Sequence, residues 1–328
     1  MSKPVTPREM AHLLSHHPGR LVLVTHVRPD GDGAGSALAL AGVLKAAGKN
    51  AVCVGLEAMA DEYDYLEGLS ENIPAAEFAP MPEDAMLVLD CGAVSRLPAP
   101  LQTHAPAIAA FCIDHHKDYS GFAKFALVDE SAGSAAELTM SVIEAGGFPI
   151  TRGVAEALWT GIVTDTGRFS YPSTTPETLR RAARLIEAGA RFDWINDRVF
   201  NCIDMRRFRL RNRLIASFAF SPDGKIALAS LGADDYAAEN CESSDSDNFI
   251  DIVRAVKGVE ISVFMRQPLP SGTVKISMRT TEKHDAAAIC KTEWGGGGHS
   301  RAAGAEIPGD LPAVRAAVFA LLQNLTAK

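Results

Sequence analysis

Basic charge is in short supply in this chain. Lys and Arg number 32 against 40 Asp and Glu, a formal charge of −8 over 328 residues. That balance excludes a whole-molecule basic field as the means of holding nucleic acid, although a local basic cleft stays open. A long polyanion would meet repulsion, whereas a short or heavily phosphorylated small substrate would not. The 6 cysteines are scattered with no pair at CxxC spacing, which excludes a disulfide framework and reads as reduced thiols. No apolar run approaches the length of a membrane span, and the opening MSKPVTPREMAHLL lacks the apolar core of a signal peptide. The expected place is therefore the cytoplasm, with no membrane partner. Repeats and low-complexity tracts are also lacking. What remains, 47% hydrophobic and 22% charged residues, is the composition of a soluble globular protein.

The first two thirds of the sequence alternate strand-like and helix-like segments. Thr6-Pro7-Arg8-Glu9 has the form of a capping box. Arg20–Val27, Asn50–Leu56, Ala85–Asp90 and Ala109–Asp114 read as strands, the first followed by a Pro-Asp-Gly turn. Ser36–Gly48, Ser134–Ala145, Val154–Val163 and Thr175–Ala188 read as helices, with Ser36 as a cap. Apolar strands alternating with helices predict an α/β fold with a mostly parallel sheet over residues 1–190. The basic stretch Met205–Ser217 predicts a helical linker spanning 191–217, most of its arginines solvated or ion-paired. Strands at Lys225–Leu231, Val259–Arg266 and Thr273–Thr280 predict a smaller second α/β domain over 218–328.

Four segments place aspartate or histidine at the end of an expected strand or in the loop just after it. They are His26-x3-Asp30-x-Asp32, Asp90, Asp114-His115-His116, and Asp165 within Thr164-Asp-Thr-Gly-Arg-Phe169. Taken singly, an aspartate there is often a helix cap and a histidine a satisfied structural residue. Taken together they predict one pocket, because the loops past the carboxyl ends of an open parallel sheet converge. Carboxylates crowded there repel one another unless cations neutralise them. Carboxylate oxygen with a minority of imidazole and no thiolate suits Mn²⁺, with Mg²⁺ admissible and Zn²⁺ or Co²⁺ less suited. The carboxylates suffice for two divalent ions, the usual device of phosphoryl chemistry at about 3.5–4 Å separation.

The segments His26-Val-Arg-Pro-Asp-Gly-Asp-Gly-Ala-Gly-Ser36, Val88-Leu-Asp90, Asp114-His-His116 and Thr164-Asp-Thr-Gly167 resemble the successive motifs of the DHH phosphoesterase superfamily. Gly295-Gly-Gly-Gly-His299-Ser-Arg-Ala-Ala-Gly304 resembles the GGGH signature of its associated C-terminal domain. The resemblance spans nearly the whole chain, in order. It implies a DHH domain, a helical linker and a DHH-associated domain with the active cleft between them. By the same resemblance His26, Asp30 and Asp90 hold one metal, and Asp32, Asp90, His115 and Asp165 the second, Asp90 bridging. Asp114 would orient a histidine, and His116 would contact the scissile phosphate and protonate the leaving oxygen. Arg279, Gly296, Gly297, Gly298 and His299 would bind substrate, the glycines by letting backbone N–H groups approach phosphate. Trp294 is open between stacking a base and packing a hinge.

The small members of the superfamily, the bifunctional oligoribonuclease and PAP phosphatase proteins, are the best match. The implied activity is hydrolysis of short RNA oligonucleotides to mononucleotides, or removal of a phosphate from 3′-phosphoadenosine 5′-phosphate (PAP). A linear or cyclic dinucleotide phosphodiesterase is the alternative. A RecJ-like single-strand exonuclease fits less well, as does a catalytically silent nucleotide-binding regulator, since no metal ligand is missing. Partners are short RNA or small nucleotides and not long duplex nucleic acid, with a homodimer left open.

Overall fold

Two-sided burial explains why the apolar segments of the first two hundred residues become central strands. The computed structural model describes residues 2–270 and 272–326. Its strands β1 (Lys3–Pro4), β2 (Leu21–Val24), β3 (Ala51–Cys53), β4 (Ala85–Leu89), β5 (Ala109–Asp114) and β6 (Phe125–Val128) form one sheet in the order β1-β6-β5-β4-β2-β3. Every pairing is parallel. Leu21, Leu23, Leu87, Leu89 and Ile113 pack on one face, while Val22, Val24, Met86 and Val88 pack on the other. Alternation by two along a strand buried on both sides gives such a continuous apolar run. Parallel β6 and the short edge strand β1 escaped the sequence reading, because Phe125–Val128 is too short to be distinguished by pattern.

Helices α1 (Pro7–His16), α2 (Gly31–Ala46), α3 (Ala135–Ala145), α4 (Arg152–Asp165) and α5 (Pro176–Glu187) are the longer helices of this unit. The expected capping box is present, with Glu9 N–H donating to Thr6 Oγ1 at 3.3 Å and Thr6 N–H to Glu9 Oε2 at 2.8 Å. Helix α2 is buried on nearly every side from Gly31 to Leu44. It begins before the expected Ser36, which lies inside the helix and fully buried. The reason is Asp30, whose Oδ1 accepts the N–H groups of Asp32 at 3.1 Å and Gly33 at 3.0 Å. A side-chain cap at Asp30 starts a helix through glycines whose propensity argues against one.

The chain leaves β2 toward β3 on one side and later builds β4, β5 and β6 on the other. The order in which strands are added therefore reverses between β2 and β4, the kind of position where open parallel sheets bind ligands.

The chain divides into two units, Met1–Cys202 and Ile203–Lys328. In the second, β7 (Ala219–Phe220), β8 (Ile226–Leu231), β9 (Ile261–Arg266), β10 (Thr273–Thr280), β11 (Gly297–His299) and β12 (Ala302–Pro308) form a mixed sheet ordered β11-β12-β10-β9-β8-β7. Only β8 and β9 run parallel. Ile226, Val263, Ile276 and Met278 pack on one face with Cys290 of α7 (Ala286–Trp294) and with Val318 and Leu322 of α8 (Leu311–Thr326). The basic stretch is helix α6 (Met205–Ala216), whose Leu210 and Leu214 are buried against Ala227, Ala229 and Phe264 of this second unit. Arg213 pairs with Glu239 at 2.6 Å and Arg206 with Asp204 at 3.3 Å. Among the described residues, no helix is long and apolar enough to cross a membrane.

Candidate functional site

The carboxyl ends of β2, β4 and β5 and the facing ends of α2 and α4 bring seven side chains together. His26 Nε2 lies 3.7 Å from Asp30 Oδ1 and 3.6 Å from Asp90 Oδ2. His115 Nε2 lies 3.3 Å from Asp165 Oδ2, 3.5 Å from Asp90 Oδ1 and 3.8 Å from Asp32 Oδ2. Asp90 stands between the two sets and is also 3.5 Å from His116 Nδ1. Asp165 does not follow a strand. It ends helix α4, so a helix packed on α2 delivers this carboxylate.

Local structure fixes each group. Asp32 Oδ2 accepts the N–H of Ala135 at 2.6 Å and its Oδ1 that of Ala136 at 2.8 Å, the first turn of α3. His26 Nδ1 meets the carbonyl of Val27 at 3.0 Å, and His115 Nδ1 that of Ala132 at 3.2 Å. Once neutral, a ring whose Nδ1–H donates to a carbonyl presents an unprotonated Nε2, the orientation a metal ligand needs. Asp114 is fully buried, and its Oδ1 accepts from His116 Nδ1 at 2.8 Å and from the His115 N–H at 3.0 Å. Asp114 thus touches the pocket through His116. Asp90 is 2% exposed and sits at φ +53, a left-handed conformation that aspartate bears better than most residues.

Electrostatics of the cluster favour cations. Burial, then the charges of Asp90 and Asp165, hold the Asp32 carboxyl well above its ordinary range. Burial, against a partial offset from His115, pushes Asp165 up to about 6. For His26 burial disfavours charge, yet the nearby Asp30 and Asp90 carboxylates outweigh it and raise the imidazole to about 10. His115 reaches about 10 in the same way, through Asp90, Asp32 and Asp165. Asp90, flanked by these imidazoles, is held low despite its burial. The metal-free cluster therefore keeps protons where a divalent cation would replace them. The donor set fits that replacement, because Asp90 Oδ1 and His115 Nε2 are buried without any hydrogen-bond partner in the molecule. Buried polar atoms are otherwise nearly always satisfied.

The substrate-binding residues expected from sequence lie in the second unit. Arg279 is on β10, paired across to Ser262 and Ala302. The glycine run contains edge strand β11, Gly297–His299 pairing with Ala302–Gly304. A Cβ at Gly296 would stand 2.7 Å from that of Ala305, whereas Gly297 faces open space. Gly296 is thus small because it packs on β12. His299 is exposed, and Trp294 packs partly buried against the second core.

Sequence reasoning missed Gly161, where a Cβ would come within 2.8 Å of Asp32 Oδ1. This glycine lets α4 pass close enough to place Asp165. Its only sequence signal is a glycine interrupting the apolar helix pattern four residues before that aspartate.

A parallel sheet carrying clustered carboxylates and imidazoles at its order reversal, followed by a second mixed-sheet unit, is the arrangement expected of a metal-dependent phosphoester hydrolase. Comparison with known proteins makes this specific. Residues 20–162 match the DHH family, N-terminal domain, and residues 223–324 match the DHHA1 domain. The chain belongs to the DHH family of phosphoesterases. It is 33% identical over 308 residues to a bifunctional oligoribonuclease and PAP phosphatase NrnA of Thermus thermophilus, covering 92% of this chain and 88% of that protein. It is 25% identical over 296 residues to the protein of the same description in Bacillus subtilis, covering 88% and 89%. An exopolyphosphatase-related protein from Bacteroides fragilis has a similar structure, with TM-score 0.85, 25% identity and 97% and 96% coverage.

Proposed function

We propose that this protein hydrolyses short oligoribonucleotides to mononucleotides and dephosphorylates PAP in the cytoplasm. One observation carries the reading: relatives described as having both activities align over nearly the whole chain, both units included. Both reactions cleave a phosphoester at or near a terminal nucleotide, so one phosphate-centred site can serve both.

In this reading His26, Asp30 and Asp90 hold one divalent ion, and Asp32, Asp90, His115 and Asp165 hold a second. When bound, two such ions, Mn²⁺ by ligand type with Mg²⁺ admissible, supply an activated water and positive charge facing the phosphate oxygens. His116 has its Nδ1 tied to Asp114 at 2.8 Å, and that hydrogen bond raises its pKa. It can therefore carry a proton on Nε2 and deliver it to the leaving oxygen. The amides of Ala135 and Ala136 keep Asp32 in place, so the ligand set is preorganised.

Arg279 and His299 are proposed to grip the part of the substrate remote from the scissile phosphorus, with exposed Gly297 offering backbone to a phosphate. His299→Ala and Arg279→Ala should each remove a charge-assisted contact of about 1.5–3 kcal/mol, a fall in kcat/KM of about ten- to a hundred-fold on dinucleotides and PAP. Hydrolysis of bis-p-nitrophenyl phosphate, which has no remote part, should survive both changes. Equal loss on the minimal substrate would move these residues into the catalytic centre.

The reading is tested with labelled RNA of two to twenty-four nucleotides and PAP in parallel, all with Mn²⁺. Rates should fall steeply beyond about five nucleotides, because the acidic exterior repels a longer strand. Equal rates on two-mers and twenty-mers would favour a processive exonuclease. Turnover of a cyclic dinucleotide far above PAP and linear dinucleotides would replace the reading with a cyclic-dinucleotide phosphodiesterase.

A further inference from the structure

Left-handed backbone at residues other than glycine is confined, among the described residues, to Arg28, Glu83, Asp90, Arg168, Phe169, Asn240 and Asn248. Asparagine accepts this conformation readily, which accounts for two of them. Four of the remaining five lie in the segments that carry the carboxylate cluster. Arg28, at φ +57, stands between His26 and Asp30 and is followed by Pro29, which restricts it further. Arg168, at φ +58, follows Asp165 by three residues. Its neighbour Phe169 turns inward, its ring 5.7 Å from that of Trp159. Non-glycine residues persist in such conformations only where surrounding structure imposes them, and they concentrate at ligand-binding sites.

Both arginines are exposed, and neither has an ion-pair or side-chain hydrogen-bond partner among the described residues. That is notable in a chain with a formal charge of −8. Several arginines elsewhere do find carboxylates: Arg20 pairs with Asp84 at 2.7 Å and Arg191 with Glu156 at 2.6 Å. The Arg168 guanidinium stands 5.0 Å over the ring of Phe200, which steers the side chain without neutralising it. Two unneutralised guanidinium groups are thus carried by the loops that hold the carboxylates, on backbone already ordered for the purpose.

We propose that Arg28 and Arg168 bind a second, non-scissile phosphate of the substrate and make the enzyme selective for molecules that carry two. The inference rests on the phosphoesterase reading above and adds a recognition element within the first unit. Its physical basis is local. The aspartate cluster repels any approaching polyanion, and guanidinium groups carried by the adjoining segments supply attraction and can meet phosphate oxygens in pairs. Because these side chains make no ion pair in the free protein, no internal bond has to break when phosphate arrives.

On this reading the 3′-phosphate of PAP is the one cleaved, and adenosine 3′-phosphate shares it and lacks only the 5′-phosphate. Arg28→Asn and Arg168→Asn remove the charge while keeping a residue that accepts left-handed backbone. Each should lower kcat/KM for PAP about ten-fold or more, chiefly through KM, and leave adenosine 3′-phosphate and bis-p-nitrophenyl phosphate near wild type. Arg→Lys at either position should restore part of the loss. Unchanged PAP kinetics would overturn the proposal, as would an equal fall on all three substrates. A wild-type protein inert toward every one of them with Mn²⁺ would refute the phosphoesterase reading instead. Calorimetric affinities for PAP and adenosine 3′-phosphate would then decide the inference separately: an equal affinity in wild type overturns it, and a preference for PAP lost in both variants upholds it.

Discussion

Asp90→Asn leaves the protein folded and reduces turnover by about a thousand-fold or more. Among the described residues Asp90 is the one carboxylate within 3.6 Å of both His26 and His115, and it is the proposed bridge between two ions. Loss of a bridging charge costs several kcal/mol of transition-state stabilisation, and about 4 kcal/mol is a thousand-fold in rate. Asparagine suits the test better than alanine, because the residue sits at φ +53 and asparagine tolerates that region. It also keeps the shape of a side chain that is 2% exposed. Rates on bis-p-nitrophenyl phosphate at saturating Mn²⁺, with a melting curve alongside, check both halves. Near-normal activity at saturating metal would sink the two-ion assignment.

The second large effect is a divergence in thermal stability between chelated and Mn²⁺-loaded protein as pH rises. His26 and His115 are raised to about 10 and Asp165 to about 6. A group whose folded pKa lies above its unfolded value stabilises fully below the unfolded pKa, and the gain is lost as pH rises through the folded one. For Asp165 that window opens near the ordinary aspartate value of 3.8 and closes near 6. For the two histidines it runs from 6.5 to about 10. The chelated protein should therefore lose stability across both windows. A divalent ion must displace the same protons, so its affinity climbs with pH and the loaded protein is stabilised more at pH 9 than at pH 6. Melting temperatures with EDTA and with Mn²⁺ from pH 6 to 9 give the result directly. A gap that stays constant, or narrows, across that range contradicts the assigned ligands. Isothermal titration of Mn²⁺ in buffers of different ionisation enthalpy should also register proton release near neutral pH.

Much of this protein was legible in its sequence, for physical reasons tied to particular residues. Apolar runs such as AMLVL at 85–89 and the acid that follows them announced a parallel sheet, because strands buried on both faces tolerate no polar residue until they end. The ordered motifs at His26–Ser36, Asp90, Asp114–His116 and Asp165 announced a DHH phosphoesterase, since short motifs gain specificity when they recur in order along one chain. The capping box at Thr6 and Glu9 is local chemistry and could be read locally.

Other features were settled only by tertiary structure. Helix α2 begins at Gly31 against its own propensity, because Asp30 caps it and the helices packed around it stabilise it. Asp165 reaches the site from a helix end, and Gly161 matters because α4 passes close to Asp32. Gly297, Gly298 and His299 form an edge strand, since Ala302–Gly304 offers them a partner that no local pattern reveals. The unpaired state of Arg28 and Arg168 depends on where every nearby carboxylate ends up. Sequence carries what neighbouring residues impose on one another, namely periodicity, caps and motif order. Close approach, side-chain partnership and the absence of a partner are properties of residues distant in the chain, and only the folded packing decides them.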